Sequence, residues 1–263
     1  MPVESSPAAA GDEVLVRHEA RTAVITINRP HARNAVTRAV AEGIAAALDE
    51  LDRRDDLSVG VLTGAGGSFC AGMDLKGFLR GERPSVEGRG FAGVTEAPPR
   101  KPLIAAVEGY ALAGGCEIVL ACDLVVAART AKLGIPEVKR GLVATAGALL
   151  RLPHRVPEQI AMELALTGDM ITAERAYEIG LVNRLTDEGD ALDEALALAG
   201  RIAANGPLAT LASKRVIKEH GQWPEAERFA RQRQITEPVF ASADAKEGAL
   251  AFAEKREPKW QGR

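Results

Sequence analysis

Apolar and polar positions alternate with a period of two over Val14–His18 and again over Ala23–Asn28, with Glu19, Ala20 and Arg21 between them. The chain therefore opens on a predicted β-hairpin. The period then changes. Val40, Ile44, Ala47, Leu48 and Leu51 share one face of a 3.6-residue repeat, and Thr37 stands ahead of them as a capping residue, so a helix is predicted to about Asp52. Val59–Thr63 and Leu103–Val107 are short apolar runs that read as buried strands, and Leu124–Ala127 and Lys132–Gly134 as two more. Helical patterns follow at Ala146–Leu152, Pro157–Leu166, Thr172–Ile179 and Ala191–Ala204. Three more occupy Leu208–Glu219, Pro224–Ala241 and Ala243–Lys255.

Strands and helices alternate through about Leu185 and only helices come after, which predicts one α/β core with a helical extension. The division expected is a disordered tail over 1–11, a core over 12–206 and a helical assembly region over 207–263. The last segment carries Val216, Ile217, Phe229, Ile235, Val239, Phe240, Leu250 and Phe252, more apolar surface than a peripheral piece of a monomer usually leaves bare. Between Leu79 and Glu96 the glycines and charges offer little to bury, so this is expected to be the most mobile internal segment, ordering on a ligand.

Composition narrows the function classes. A hydrophobic fraction of 46% and a net charge of -3 belong to an ordinary soluble protein with no general attraction to nucleic acid. The longest apolar stretches contain Glu or Asp and fall short of a membrane span, so no membrane insertion is expected. The N-terminus has neither a basic nor an apolar signal region. Three cysteines, Cys70, Cys116 and Cys122, lie in apolar surroundings and read as reduced core thiols of a cytoplasmic protein. His18, His31, His154 and His220 have no ligand spacing, so no metal is predicted.

The chemistry centres on Lys101–Asp123, KPLIAAVEGYALAGGCEIVLACD. Glycines 109, 114 and 115 let the backbone turn and approach a neighbour closely. Glu117 follows Gly114 by three residues, on one face of the helix that begins there. A carboxylate in so apolar a run is expensive to bury without a purpose or partner. The N–H groups at a helix start are unpaired and suit developing negative charge. The same stretch also reads as a tight turn with a helix-capping glutamate, and on its residues alone both stand. A second glycine-bordered run, Cys70-Ala71-Gly72-Met73, offers further free N–H groups, and Glu137 in Gly134-Ile135-Pro136-Glu137 a second carboxylate in an apolar setting. Asp74 and Asp123 are assigned capping or hydrogen-bonding roles.

Taken in order, FCAGMDL, GYALAGGCE, ACDLVVA and GIPEVKRG resemble the enoyl-CoA hydratase/isomerase (crotonase) superfamily. NRPHARNAV, LTGDMITAERAYEIGLVN and AFAEKREPKW extend the resemblance over nearly the whole chain. It implies a crotonase-like α/β spiral of repeated ββα units, with the helical C-terminal region serving oligomerisation as a homotrimer or a hexamer. It implies an acyl-CoA thioester substrate, with coenzyme A part of that substrate and no separate cofactor. The backbone N–H groups of Met73 and Gly114 would form the oxyanion hole, and Glu117 and Glu137 would be the catalytic acid and base of a 2-enoyl-CoA hydratase. Ala32, Arg33, Ala71, Lys76, Phe252 and Lys255 match positions that hold CoA, the last two commonly from a neighbouring subunit. Arg33 and Lys76 read equally as solvated surface charges.

One stretch departs from the pattern. After GIPEVKRG the family commonly has a proline and then a Gly-Gly pair, where this chain has Ala144 and the Gly147-Ala148 pair. Leu150-Arg151-Leu152-Pro153, the segment 90–96 and the tail 258–263 are closer to the carnitinyl-CoA dehydratase branch. An isomerase, a hydrolase or a non-catalytic acyl-CoA binder on the same scaffold remain alternatives, since fold does not fix reaction.

Overall fold

The computed structural model describes residues 13–263; the tail expected over 1–11 lies outside the described residues. The hairpin forms as β1 (Val14–Glu19) and β2 (Thr22–Ile27), and Thr37 caps α1 (Arg38–Arg53) by accepting from Val40 N. After β3 (Val59–Gly64) come α2 (Leu75–Leu79) and a small hairpin of β4 (Ser85–Val86) and β5 (Gly90–Phe91). The central stretch is β6 (Leu103–Val107), β7 (Tyr110–Leu112) and α3 (Gly114–Ala121), followed by β8 (Leu124–Ala128) and β9 (Lys132–Gly134). A 3-10 turn at Pro136–Arg140 leads to α4 (Ala148–Arg151), α5 (Glu158–Thr167), β10 (Ile171–Thr172) and α6 (Ala173–Glu178). The chain closes with β11 (Arg184–Thr186), α7 (Ala191–Ala203), α8 (Pro207–Glu219), α9 (Arg228–Phe240) and α10 (Ala243–Glu254).

The main sheet has the order β1-β2-β3-β6-β8-β11, parallel from β2 onward, with β1 antiparallel at its edge. Its inner strands, β2, β3, β6 and β8, are largely buried because both faces are covered. Val59, Val61, Ile104, Ala106 and Val126 point to one side and pack with Ala191, Ala195 and Ala199 of α7. The alternate residues, Leu62, Leu103, Ala105, Val107, Val125 and Ala127, join the larger core with α1 and α3.

A second, smaller sheet, β10-β9-β7, explains the repeat. Each unit sends its first strand into the main sheet and its second into this layer. Thus β6 is followed by β7 and α3, and β8 by β9 and the turn at 136–140. The loops 35–37 and 70–73 continue the same layer through isolated parallel bridges, Val36 to Met73 and Cys70 to Ala111. The expected spiral of ββα units is the fold observed. Cys70, Cys116 and Cys122 are free and buried, and burial pushes each thiol up to about 12.

The expectation for 79–96 needs correcting. Ala92 and Val94 are fully buried in the core and Thr95 is nearly so, so the second half of the segment is anchored by apolar burial. Among the described residues no helix is long and apolar enough to cross a membrane.

The assignments for Asp74 and Asp123 hold. Asp74 caps α2 by accepting from Lys76 N and Gly77 N, and pairs with Arg29 at 3.0 Å. Asp123 accepts from Leu103 N and from Lys214 of α8 at 2.6 Å, which ties the helical region to the core. Trp260 donates to Ala204 O at 2.8 Å and extends that tie. Neither α8 nor α9 has a buried residue, and Ile217, Phe229, Phe240 and Phe252 are all more than two-thirds exposed.

Candidate active site

Two free backbone donors come from the loop at 70–73 and from the start of α3. The loops at 30–36 and 70–74 are stitched by Ala71 N to Arg33 O at 3.0 Å, Val36 N to Gly72 O at 2.8 Å and Asp74 N to Val36 O at 3.0 Å. Met73 N lies between these bonds, and among the described residues it has no acceptor. Gly114 is the first residue of α3, so its N–H has no intrahelical acceptor, and no other is present among the described residues. The two groups are close because Gly72, with φ +100°, abuts α3: a Cβ there would stand 3.2 Å from Gly114 N. Ala113, immediately before, is held at φ 51° and ψ -126°, a strained conformation for a residue with a side chain. Its N–H donates to Gly134 O at 2.9 Å, which fixes the peptide leading into α3. Phe91 of β5 packs over the spot, since a Cβ on Gly114 would lie 2.5 Å from its ring.

Two carboxyl groups lie one layer along. Glu117 is only 4% exposed, and its Oε1 accepts from Ala146 N at 2.7 Å and Ala148 N at 3.2 Å. Burial raises its pKa; the two N–H groups and Arg151 oppose that, while the charge of Glu137 adds to it. The register Leu112 to Gly134 carries Glu137 alongside α3. Glu137 Oε2 is buried without a hydrogen-bond partner, and its carboxyl is likewise raised by burial. Its side chain borders a cavity of about 440 Å³ lined by aliphatic groups including Val143, Ala144, Leu149, Leu152 and Met162. Ala144 and Ala148, where the sequence departs, are thus a cavity wall and a donor to Glu117.

The sign of the Glu137 shift gives a test. A raised pKa means the native state binds the proton more tightly than the unfolded chain. The contribution of Glu137 to stability is therefore most favourable in acid and is lost as pH rises through the raised value. Glu137→Gln should lift the Tm at neutral pH, a gain that fades in acid where the parent's carboxyl is protonated in the folded and unfolded states alike. Calorimetry across pH measures it, and a constant difference would point to packing instead.

Of the six positions matched to CoA, the structure brings three together. Ala32 and Arg33 end a 3-10 turn, Arg33 O accepts from Ala71 N, and the Arg33 guanidinium lies 5.8 Å from the Tyr110 ring centre. Lys76 follows closely on exposed α2. Phe252 and Lys255 stand at the exposed end of α10, and no hydrogen bond joins them to the residues around Glu117. Sequence reasoning did not single out the N–H groups of Ala146 and Ala148, the Phe91 cover, or buried Asn34, which accepts from Arg29 N and donates to Ala65 O and Ser68 O. Asn34 follows Arg33 at φ 55°, and the NRPHARNAV motif was its one available signal.

A family model described as enoyl-CoA hydratase/isomerase matches residues 17–263. The chain is 44% identical to the enoyl-CoA hydratase EchA19 of Mycobacterium tuberculosis, over 97% of this chain and 98% of that protein. It is 41% identical to the carnitinyl-CoA dehydratase of Salmonella enteritidis, over 91% and 94%. The crystal structure of enoyl-CoA hydratase EchA1 from Mycobacterium marinum superposes with a TM-score of 0.94 at 63% identity, covering 96% of this chain and all of that one.

Proposed function

This chain belongs to the enoyl-CoA hydratase/isomerase family, and from that membership we propose an enoyl-CoA hydratase that works through Glu117 and Glu137. The reaction is reversible addition of water across the C2=C3 bond of a 2-enoyl-CoA thioester, which makes the protein a hydro-lyase. The observation that carries the assignment is a pair of carboxyl groups, Glu117 buried and holding two backbone donors and Glu137 half-buried with an unpartnered buried oxygen, beside two unpaired N–H groups.

Water adds to C3 only if negative charge can collect on the thioester oxygen as an enolate. The Met73 and Gly114 N–H groups form the oxyanion hole that receives it, in a site from which Phe91 and the cavity wall exclude solvent. Glu117 is the base. Its two backbone donors favour the carboxylate, which takes a proton as the water oxygen bonds to C3. Glu137 is the acid. With a buried, unpartnered oxygen on an apolar wall it favours the protonated form, and it delivers that proton to C2. Glu117 then holds a proton and Glu137 lacks one, and exchange with solvent restores both. The loops bearing Ala32, Arg33, Ala71 and Lys76 hold the CoA moiety, and no cofactor takes part.

Loss of the enoyl-thioester absorbance on mixing with crotonyl-CoA tests the assignment, and binding of CoA thioesters without that loss would sink it. A carnitinyl-CoA dehydratase activity is the second reading, favoured by the 41% identity. The cavity argues against it, because among the described residues no aromatic side chain lines it and its second carboxylate, Glu158, is exposed. Aliphatic enoyl-CoAs should therefore exceed crotonobetainyl-CoA in kcat/KM by about tenfold or more, a margin of a few buried methylenes.

The bare apolar faces of α8, α9 and α10 fit assembly as a trimer or hexamer, in which Phe252 and Lys255 reach a neighbour's CoA. Sedimentation as a stable monomer at micromolar concentration would contradict this. Residence in the cytoplasm completes the reading, supported by three free buried thiols, and cell fractionation checks it.

A further inference from the structure

Two arginines from the α4 region bracket α3, and only one is explained by the helix itself. Arg155 donates to Leu120 O at 3.0 Å and Cys122 O at 2.6 Å, at the C-terminal end where unpaired carbonyls and the helix dipole welcome a cation. Arg151 lies toward the other end, where the dipole repels positive charge. It is half-buried, and burial lowers its pKa, so something specific must hold it there. Its Nη2 makes a short bond to Thr95 O, and its Nη1 donates to Ala146 O at 3.4 Å. Ala146 is therefore gripped at both ends, its carbonyl by Arg151 and its N–H by Glu117 Oε1 at 2.7 Å. Gly147, at φ +105°, allows this, because a Cβ there would overlap Nη1.

We propose that Arg151 is a positioning residue for Glu117, tying the backbone that holds the carboxylate to the Thr95 segment and placing a cation on the side of that backbone. The proposal rests on the reading of Glu117 as base. The charged groups that act on Glu117 are Glu137, from the turn at 136–140, and Arg151, from α4. Cys116 beside it is a neutral thiol, raised to about 12, and Arg155 acts on Arg151. Removing the guanidinium therefore takes away the cation named among the groups that act on Glu117.

The test compares Arg151→Gln and Arg151→Lys. In Arg151→Gln, kcat should fall about tenfold or more with KM changed less than about twofold, as a displaced base costs rate rather than binding. The acidic limb of the kcat profile should move to higher pH. Arg151→Lys should return the limb toward its place while recovering only part of kcat, because an ammonium cannot span two carbonyls as a planar fork does. In a Glu117→Gln background, Arg151→Gln should add less than about twofold, since both act through one group. An additive loss, or a lowered Tm with kcat and limb unchanged, would overturn the proposal. Carbon-13 NMR of labelled glutamate decides the matter without turnover: the Glu117 carboxyl should titrate higher in Arg151→Gln, and an unchanged titration overturns the idea even if the parent hydrates no enoyl-CoA. If Arg151→Gln fails to fold, Arg151→Lys is read by the same two measurements: a kcat equal to the parent's, or a Glu117 titration displaced as by loss of the cation, sinks the proposal.

Discussion

Glu117→Gln and Glu137→Gln each lower kcat for enoyl-CoA hydration by about 10²-fold or more, the usual worth of a positioned acid or base. The two should fail differently. A glutamine at 117 still accepts from Ala146 N and Ala148 N through its amide oxygen, so the site keeps its shape and loses only basicity. A glutamine at 137 replaces a carboxyl whose outer oxygen has no partner, so little structure depends on it, but the proton for C2 is gone. Binding of a saturated acyl-CoA should survive in both, because the thioester oxygen is held elsewhere. Stopped-flow turnover and calorimetric binding together read the result. If either variant hydrates as fast as the parent, that glutamate has no part in proton transfer.

Loss of the Met73 N–H should cost about as much or more. Replacing the Gly72–Met73 amide by an ester removes one donor while keeping the backbone shape. The expected fall in kcat is 10²- to 10³-fold, or about 3–4 kcal/mol of enolate stabilisation. The change is tolerable for the fold because that N–H has no internal acceptor to lose. Met73→Pro deletes the same donor but constrains Gly72, whose φ of +100° lies outside the range preferred ahead of proline, so a lost fold would obscure the answer. An ester enzyme with the parent's kcat would remove Met73 from the oxyanion hole.

What could be read before any coordinates follows the strength of local physics. α1 was legible from its cap and its apolar stripe, and β3, β6 and β8 from their unbroken apolar runs, because a strand covered on both faces has no polar side to show. β7 and β10, three and two residues long, carry too few side chains for a period to register. The segment 79–96 was misjudged for a related reason: its glycines and charges dominate the composition, while Phe91, Ala92 and Val94 supply the burial.

The candidate site divides along the same line. Glu117, Glu137, Met73 and Gly114 could be named because glycines beside free N–H groups and carboxylates in apolar runs are local anomalies, and their order along the chain matched a known pattern. Their division of labour could not. The proposed division rests on which carboxyl receives N–H groups and which faces an aliphatic wall; the donors to Glu117 stand 29 and 31 residues along the chain, and the wall beside Glu137 is assembled by folding of the segment 135–166. The sequence by itself determined the types of group available and the helices and strands that carry them, since residue chemistry and periodicity are properties of neighbours in the chain. Tertiary structure alone decided that Ala146 and Ala148 grip Glu117, that Phe91 covers Gly114 and that Arg151 reaches Thr95. The Glu117 and Arg151 contacts end on backbone N–H and C=O groups, which every residue but proline carries in full, and the Phe91 ring meets a glycine with no side chain, so nothing in the order of side chains marks these partners in advance.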